Sequence, residues 1–342
     1  MVIKWQRVNS LDDLRTLLLS DADVRAAFAW PEAISALRGA YSSTATDAQF
    51  PPRTMARGQG LWLRTLSGVM PGQKVIGAKM IAASMTAKAA SYLIPLFDGG
   101  TMALEALLDG ASITGFRTAA TSALAARSLC QHESPRIAVI GSGFEARTHL
   151  EALARSGALD DVMVFSPREA SRAAFCDAFA DMDVRVRPAT SAEEAVRNAD
   201  LVVCAARSRD ETPTFDGRWL QLGMTVLSIG STLPEQRELD PEAIGRADLI
   251  VADMVDEVAH DTGDMIAATA AGVGFAERLV SLNEVVSGAH PGRTSADQII
   301  LYKSVGAAIQ DLAVAAMCVE RARALGIGTD IPAPIRPVDK SK

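Results

Sequence analysis

Three small residues at fixed spacing, Gly141, Gly143 and Ala146, carry the most legible chemistry in this chain. They follow four apolar residues, Ile137-Ala-Val-Ile140, and lead into a helix-like pattern, so the segment reads as strand, phosphate loop, helix. In such a turn Gly141 allows a sharp reversal, Gly143 lets the backbone approach a pyrophosphate, and Ala146 lets the new helix pack closely on the strand. The free N–H groups at the helix start, near Phe144 and Glu145, then face the anion. Alone, a G-x-G-x-x-A run can be a plain glycine turn. The next sixty residues argue for a dinucleotide site.

About twenty residues on, Asp161-Val-Met-Val-Phe165 reads as a second strand, whose end is where a dinucleotide's ribose lies. An NAD site usually places Asp or Glu there, on the 2′-hydroxyl. Here the residues are Ser166-Pro167-Arg168, with Arg172 one turn further. Arg168 can clamp a 2′-phosphate and Ser166 can donate a hydroxyl, which favours NADP(H) and leaves NAD(H) open. The alternative is that Arg168 and Arg172 are solvated charges at a helix start.

The elements that must position these residues are those of an α/β chain. Strands are expected at 137–140, 161–165, 184–187, 199–205, 225–229 and 248–252, with helices between, making a doubly wound parallel sheet. Ser191 and Glu194 have the look of a capping box. Residues 11 to 40 carry helix patterns, with Asp12-Asp13 early in one and Pro31-Glu32 opening another. From Phe50 to Leu96 short apolar runs predict strands, the one at Tyr92–Phe97 demoted to an edge or a bend by Pro95. The stretch Met102–Gly110 fits either a short strand pair or a helical turn. Arg117 opens an Ala-rich helix to Leu129, and residues 294 to 326 read as a long helix without a strand, broken near Gly306. A discontinuous α+β domain of 1–118 and 301–342 around a Rossmann domain of 119–300 follows.

Composition supports that class. The 342 residues are 49% hydrophobic but only 5% aromatic, so the core is built from Ala, Val, Leu and Ile. The net charge is −7 and the basic residues are scattered, which offers nothing to nucleic acid. The start lacks a signal-peptide layout and no apolar run is long enough to span a bilayer, so a cytoplasmic, membrane-free protein is expected. Cys130, Cys176, Cys204 and Cys318 lie far apart, and His132, His149, His260 and His290 form no ligand-spaced pair. Metal and disulfide readings are poor, and buried, inert thiols are expected.

Several stretches together resemble the ornithine cyclodeaminase/mu-crystallin family: Pro51-Pro-Arg53-Thr, Gly77-Ala-Lys79, the run Leu107 to Ala126, Gly141 to Ala152, Ile229 to Asp240, and Lys303-Ser-Val-Gly306 with Asp311. They keep the family's order across nearly the whole chain. The resemblance implies a homodimer whose first domain binds a small imino or amino acid while the middle domain binds NAD(P). It also implies that Arg53, Lys79 and Arg117 gather around the substrate's carboxylate and reacting carbon. One fixed negative charge met by cations at the nicotinamide would be oriented for hydride transfer. Lys79 is then the best proton donor or acceptor, if burial and neighbouring arginines depress its pKa. Each residue has a plainer role as well: Arg53 as a loop clamp, Lys79 as a snorkelling side chain, and Lys303 and Ser304 as anchors of the last helix. A cation at a helix start is unfavourable, which points Arg117, with Thr118 beside it in the cofactor-binding group, at an anion.

One departure steers the function. Cyclodeaminases of the family carry Asp in a G-x-D-x-P-G-x-x-E-L pattern, where its carboxylate takes the substrate's proton. Here that position is Thr232, in Gly230-Ser-Thr-Leu-Pro234, and a hydroxyl is no base near neutral pH. Thr232 can hydrogen-bond an imine nitrogen or a water, or simply cap the turn. The expectation is an NAD(P)H-dependent reductase of a small α-imino acid, catalysed through Lys79, Arg53, Arg117 and Thr232. A cyclodeaminase-type lyase that recycles NAD and a non-catalytic binding protein are the alternatives.

Overall fold

The computed structural model describes residues 14–43, 48–72, 75–157, 159–206, 212–338 and 340; the expected helix start at Asp12-Asp13 lies outside them. In chain order the first elements are β1 (Arg15–Leu19), α1 (Asp21–Ala27), α2 (Trp30–Tyr41), β2 (Thr54–Gly58), β3 (Leu61–Val69), β4 (Val75–Ser84), β5 (Ala89–Asp98) and β6 (Leu104–Asp109). Next come α3 (Ala111–Leu129), β7 (Ile137–Ile140), α4 (Phe144–Ser156), β8 (Asp161–Phe165), α5 (Glu169–Asp177), β9 (Arg185–Pro188), α6 (Ala192–Arg197), β10 (Leu201–Cys204) and β11 (Thr225–Ser228). The chain continues with α7 (Pro241–Arg246), β12 (Leu249–Ala252), α8 (Val255–Asp261), α9 (Gly263–Ala270), β13 (Leu279–Ser281), α10 (Leu282–Ser287), β14 (Ile300–Lys303), α11 (Ala308–Leu325) and β15 (Thr329–Pro332). Two compact units result, one of Met1–Ala36, Ala45–Thr114 and Ala308–Lys342, the other of Leu37–Thr44 and Gly115–Ala307.

In the first unit seven strands run in the order β15-β1-β6-β5-β4-β3-β2. All neighbours are antiparallel except β1 and β6. Helix α11 packs on β3, β4 and β5. Its seat is made by two glycines paired across strands, Gly68 and Gly77: a Cβ on Gly77 would lie 2.8 Å from the Leu312 side chain of α11, and one on Gly68 would lie 2.6 Å from the Phe50 ring and 3.0 Å from Leu312. Removing two side chains from the sheet surface lets the helix backbone come close.

The second unit holds an all-parallel sheet in the order β13-β12-β14-β11-β10-β7-β8-β9. Its central strands, Ile-Ala-Val-Ile, Leu-Val-Val-Cys, Thr-Val-Leu-Ser and Leu-Ile-Val-Ala, are buried throughout, as strands covered on both faces must be. Local signals set the helix starts: Asp240 caps α7 with Pro241 at its first position, and Ser281 and Glu284 form a reciprocal box on α10.

Several expectations are corrected. Within residues 11 to 40, Arg15–Leu19 is a strand, because it joins β6 and β15 rather than burying a helical stripe. Strand β5 is interior, not an edge: Pro95 is accommodated by a register shift between Leu96 and Phe97, and the β4 ladder skips from Gly77 to Met80 opposite it. The long helix of 294 to 326 is instead β14, a turn at Gly306 and α11, and β14 lies between β11 and β12. A buried four-residue apolar run looks the same in a strand and in a buried helix, so the 3.6-residue pattern misled. Strands β13 and β14 bring the expected six to eight. Ser191 does cap α6, but the Glu194 carboxylate turns to Thr190 N and Oγ1 rather than closing a box. Of the thiols, Cys204 and Cys318 are buried whereas Cys130 and Cys176 are half-buried.

Candidate functional site

The glycine loop has the shape its residues predict. Strand β7 ends at Ile140, Gly141 turns with φ +116°, and α4 starts at Phe144 with Gly143 as its cap. Gly141 has no alternative, since a Cβ there would lie 2.7 Å from Ala205 O. Gly143 differs: a Cβ would meet nothing within 4 Å, and no side chain caps the helix. The space beside Gly143 at the start of α4 is therefore open, as the close approach of a pyrophosphate to a helix start requires. Ala146 is fully buried.

Helix α3 backs this loop. A Cβ on Gly115 would collide with the Phe144 ring, and Ser122 Oγ lies 3.0 Å from His149 Nε2 of α4. Gly115, Thr118 and Ser122 are spaced three and four apart, so Thr118 shares the face that meets α4. His149 Nδ1 lies 2.7 Å from Glu145 O, which can only accept, so Nδ1 carries the proton and Nε2 accepts from Ser122. Burial pushes the imidazole down to about 4 and keeps it neutral. Sequence reasoning gave His149 no role.

At the end of β8, Ser142 Oγ donates to Ser166 Oγ at 2.9 Å. Arg168 caps α5 with an exposed side chain that forms no ion pair among the described residues. Arg172 is not a free charge: Nη1 donates to Ser166 O at 2.6 Å and its guanidinium lies 5.7 Å over the Phe165 ring. One arginine shapes the turn and the other faces solvent from it.

Arg117 is a correction. Helix α3 begins at Ala111, where Asp109 Oδ1 accepts from Ala111 N at 2.8 Å, so Arg117 lies in its second turn and the dipole argument does not apply. Its buried guanidinium rests against Gly306, where φ is +86° and any side chain would collide with it. Asp253 shapes that turn by accepting from Ser304 Oγ, Val305 N and Gly306 N at 2.6, 2.9 and 2.8 Å.

Thr232 sits in a loop that folds on itself. Gln236 Oε1 accepts from Thr232 N at 3.0 Å and lies 3.4 Å from Thr232 Oγ1, and Ser231 Oγ donates to Gln236 O at 2.6 Å. Lys303 is no helix anchor: it ends β14 and lies 2.7 Å from Asp264 Oδ2, with both side chains fully buried. Its place at the end of Ile-Ile-Leu-Tyr was the available signal, because a lysine there needs an acid.

In the first unit Lys79 Nζ donates to Asp311 Oδ1 at 2.8 Å, with 1% and 0% of the two side chains exposed. The buried ammonium is thus paired with a carboxylate. Register pairs Leu66 with Lys79 and Thr54 with Thr65, so Arg53, one residue before β2, falls in the same cross-strand row.

The model of the ornithine cyclodeaminase/mu-crystallin family matches residues 15–326. A delta(1)-pyrroline-2-carboxylate reductase of Bacillus thuringiensis is 28% identical over 337 residues, 97% of this chain and 99% of that one. The structure of the Thermococcus litoralis delta(1)-pyrroline-2-carboxylate reductase with NADH and L-proline superposes with a TM-score of 0.83 at 26% identity, over 92% of this chain and 100% of that one. An archaeal alanine dehydrogenase dimer with bound NAD gives 0.83 at 27% identity, over 93% and 99%.

Proposed function

We propose, from the premise that this chain belongs to the ornithine cyclodeaminase/mu-crystallin family, that it reduces the C=N bond of a small α-imino acid with NAD(P)H. When bound, the nicotinamide supplies hydride to the imine carbon. Gly141, Gly143, Phe144, Glu145 and Ala146 hold the pyrophosphate, with Thr118 alongside. Arg53, Lys79 and Arg117 hold the carboxylate and restrict its orientation. Lys79, kept in place by Asp311, or a water ordered by Thr232 delivers the proton to nitrogen.

The observation that carries this reading is at position 232. The side chain there is a hydroxyl directed at Gln236; of the two carboxylates that follow in the same segment, Glu235 is exposed, and Glu238 is fully buried and accepts from Ser228 Oγ and Gly230 N. A base for amine chemistry is missing where cyclodeaminases carry it. The test is oxidation of NADPH and NADH with imines formed in situ from keto acids and ammonia or methylamine. Imine-dependent oxidation supports the reading; none with either cofactor contradicts it.

Three finer points extend the proposal. Exposed Arg168 beside Ser166 favours NADP(H). The sheet face away from α11 carries Leu61, Leu63, Val69 and Leu93, each at least 40% exposed, which supports a homodimer through that face. Sedimentation of a Leu63→Glu variant as a monomer is the expected result. A cytoplasmic address fits four free cysteines, and no described helix is long and apolar enough to cross a membrane.

A further inference from the structure

Arg117, Asp253 and the Ser304–Gly306 turn belong to one compact unit. Strands β12 and β14 run parallel with Ala252 level with Lys303, so the next residues, Asp253 and Ser304, leave the sheet side by side. Asp253 Oδ2 accepts from Ser304 Oγ at 2.6 Å and from Gly306 N at 2.8 Å, and Oδ1 accepts from Val305 N at 2.9 Å. On the β11 side, Ser228 O accepts from Ser304 N at 3.0 Å. Asp253 and Ser304 are buried, so three bonds to one charged acceptor hold the turn with little competition from water.

Gly306 completes the turn at φ +86°, a conformation that glycine adopts without steric cost. A Cβ there would lie 2.5 Å from Arg117 Nη1 and 2.7 Å from Nη2 but 3.0 Å from Cζ. The open end of the guanidinium fork, rather than its flat face, therefore meets the glycine. A side chain at 306 would drive the guanidinium back along its own axis. Arg117 is 5% exposed, so the packing around it leaves a displaced group little room.

We propose that Gly306 and Asp253 are positioning residues for Arg117: the carboxylate fixes the turn, and the bare glycine sets the depth at which the cationic fork stops. This rests on the imine-reductase reading, in which Arg117 holds the substrate's carboxylate. A planar fork matches a carboxylate at one distance and one angle. Displacing it forfeits charge-assisted bonds that carry about 10- to 100-fold in affinity.

Two measurements test it. In urea unfolding, Gly306→Ala is introduced into the wild type and into Arg117→Ala, where the obstructing fork is gone but the backbone strain remains. The loss of unfolding midpoint is expected to be at most about half as large in the Arg117→Ala background. Equal losses overturn the proposal. In steady-state kinetics with a cyclic α-imino acid, Gly306→Ala is expected to raise KM about 10- to 100-fold. Asp253→Asn, whose amide turns an N–H group toward the turn's own donors, is expected to do the same, and it leaves the glycine in place should Gly306→Ala not fold. A lower kcat at unchanged KM, which a smaller folded fraction alone produces, overturns the proposal. A wild type that oxidises neither NADPH nor NADH contradicts the reductase reading instead, and the unfolding comparison then decides the seat of Arg117 by itself.

Discussion

Lys79 Nζ meets Asp311 Oδ1 at 2.8 Å with both side chains closed off from water. The pair is assembled by backbone geometry: glycines 68 and 77 clear the sheet for Leu312, and Leu312 brings its neighbour Asp311 down to β4. Removing one partner strands a buried charge, at a cost of about 3–5 kcal/mol, whereas replacing both with apolar side chains can be nearly neutral. Asp311→Ala and Lys79→Met should therefore each lower stability in urea unfolding, and Lys79→Met with Asp311→Leu should recover most of the loss. All three should lose imine reduction. Single variants as stable as the wild type would contradict the ion pair.

Arg168 is the test of cofactor choice. Its side chain faces solvent while Arg172 is committed to Ser166 O and the Phe165 ring. A charge-assisted bond to a 2′-phosphate is worth roughly 1.5–3 kcal/mol, so Arg168→Ala should weaken NADPH binding about 10- to 100-fold and leave NADH within about twofold. Equal weakening of both in fluorescence titrations would remove the argument for NADP(H).

The two loop glycines should separate fold from binding. At Gly141 both φ and the contact with Ala205 O forbid a side chain, so Gly141→Ala should reduce thermal stability and cofactor affinity together. At Gly143 the space is open, so Gly143→Ala should keep the wild-type Tm and lose affinity by crowding the pyrophosphate. A Gly143→Ala protein that binds dinucleotide normally would place the anion elsewhere.

His149 gives stability a pH dependence of known sign. Its folded value of about 4 lies below the ordinary 6.5, so the unfolded chain binds the extra proton between those values. Stability should fall as pH drops from 6.5 towards 4, by up to about 3 kcal/mol from this group. His149→Gln should flatten that part of the curve in urea unfolding at pH 7 and pH 5. An unchanged slope would mean that the imidazole is not held neutral.

What could be read from the residues, and what could not, follows physical lines. The phosphate turn was legible because Gly141, Gly143 and Ala146 answer to local sterics, and β7, β8, β10, β11 and β12 because buried parallel strands are short apolar runs. Strand β14 escaped because Ile300–Lys303 shares its apolar character with the helix that follows. The helix start at Ala111 depends on Asp109 and on Asp21, which accepts from Ser112, and the second of these is remote in sequence. The partners Asp311, for Lys79, and Asp264, for Lys303, lie 232 and 39 positions away, beyond any spacing rule. Charged residues within apolar runs announced that partners were needed; only the fold named them.

The central claim is tested most directly by isotope transfer. NADPH or NADH deuterated at the transferring face of nicotinamide C4 is incubated with the protein and a cyclic α-imino acid, and the amino acid product is analysed by mass spectrometry. One deuterium at the α-carbon per cofactor oxidised is the expected result. Product without the label, or ammonia released from ornithine with no net cofactor oxidation, would contradict it.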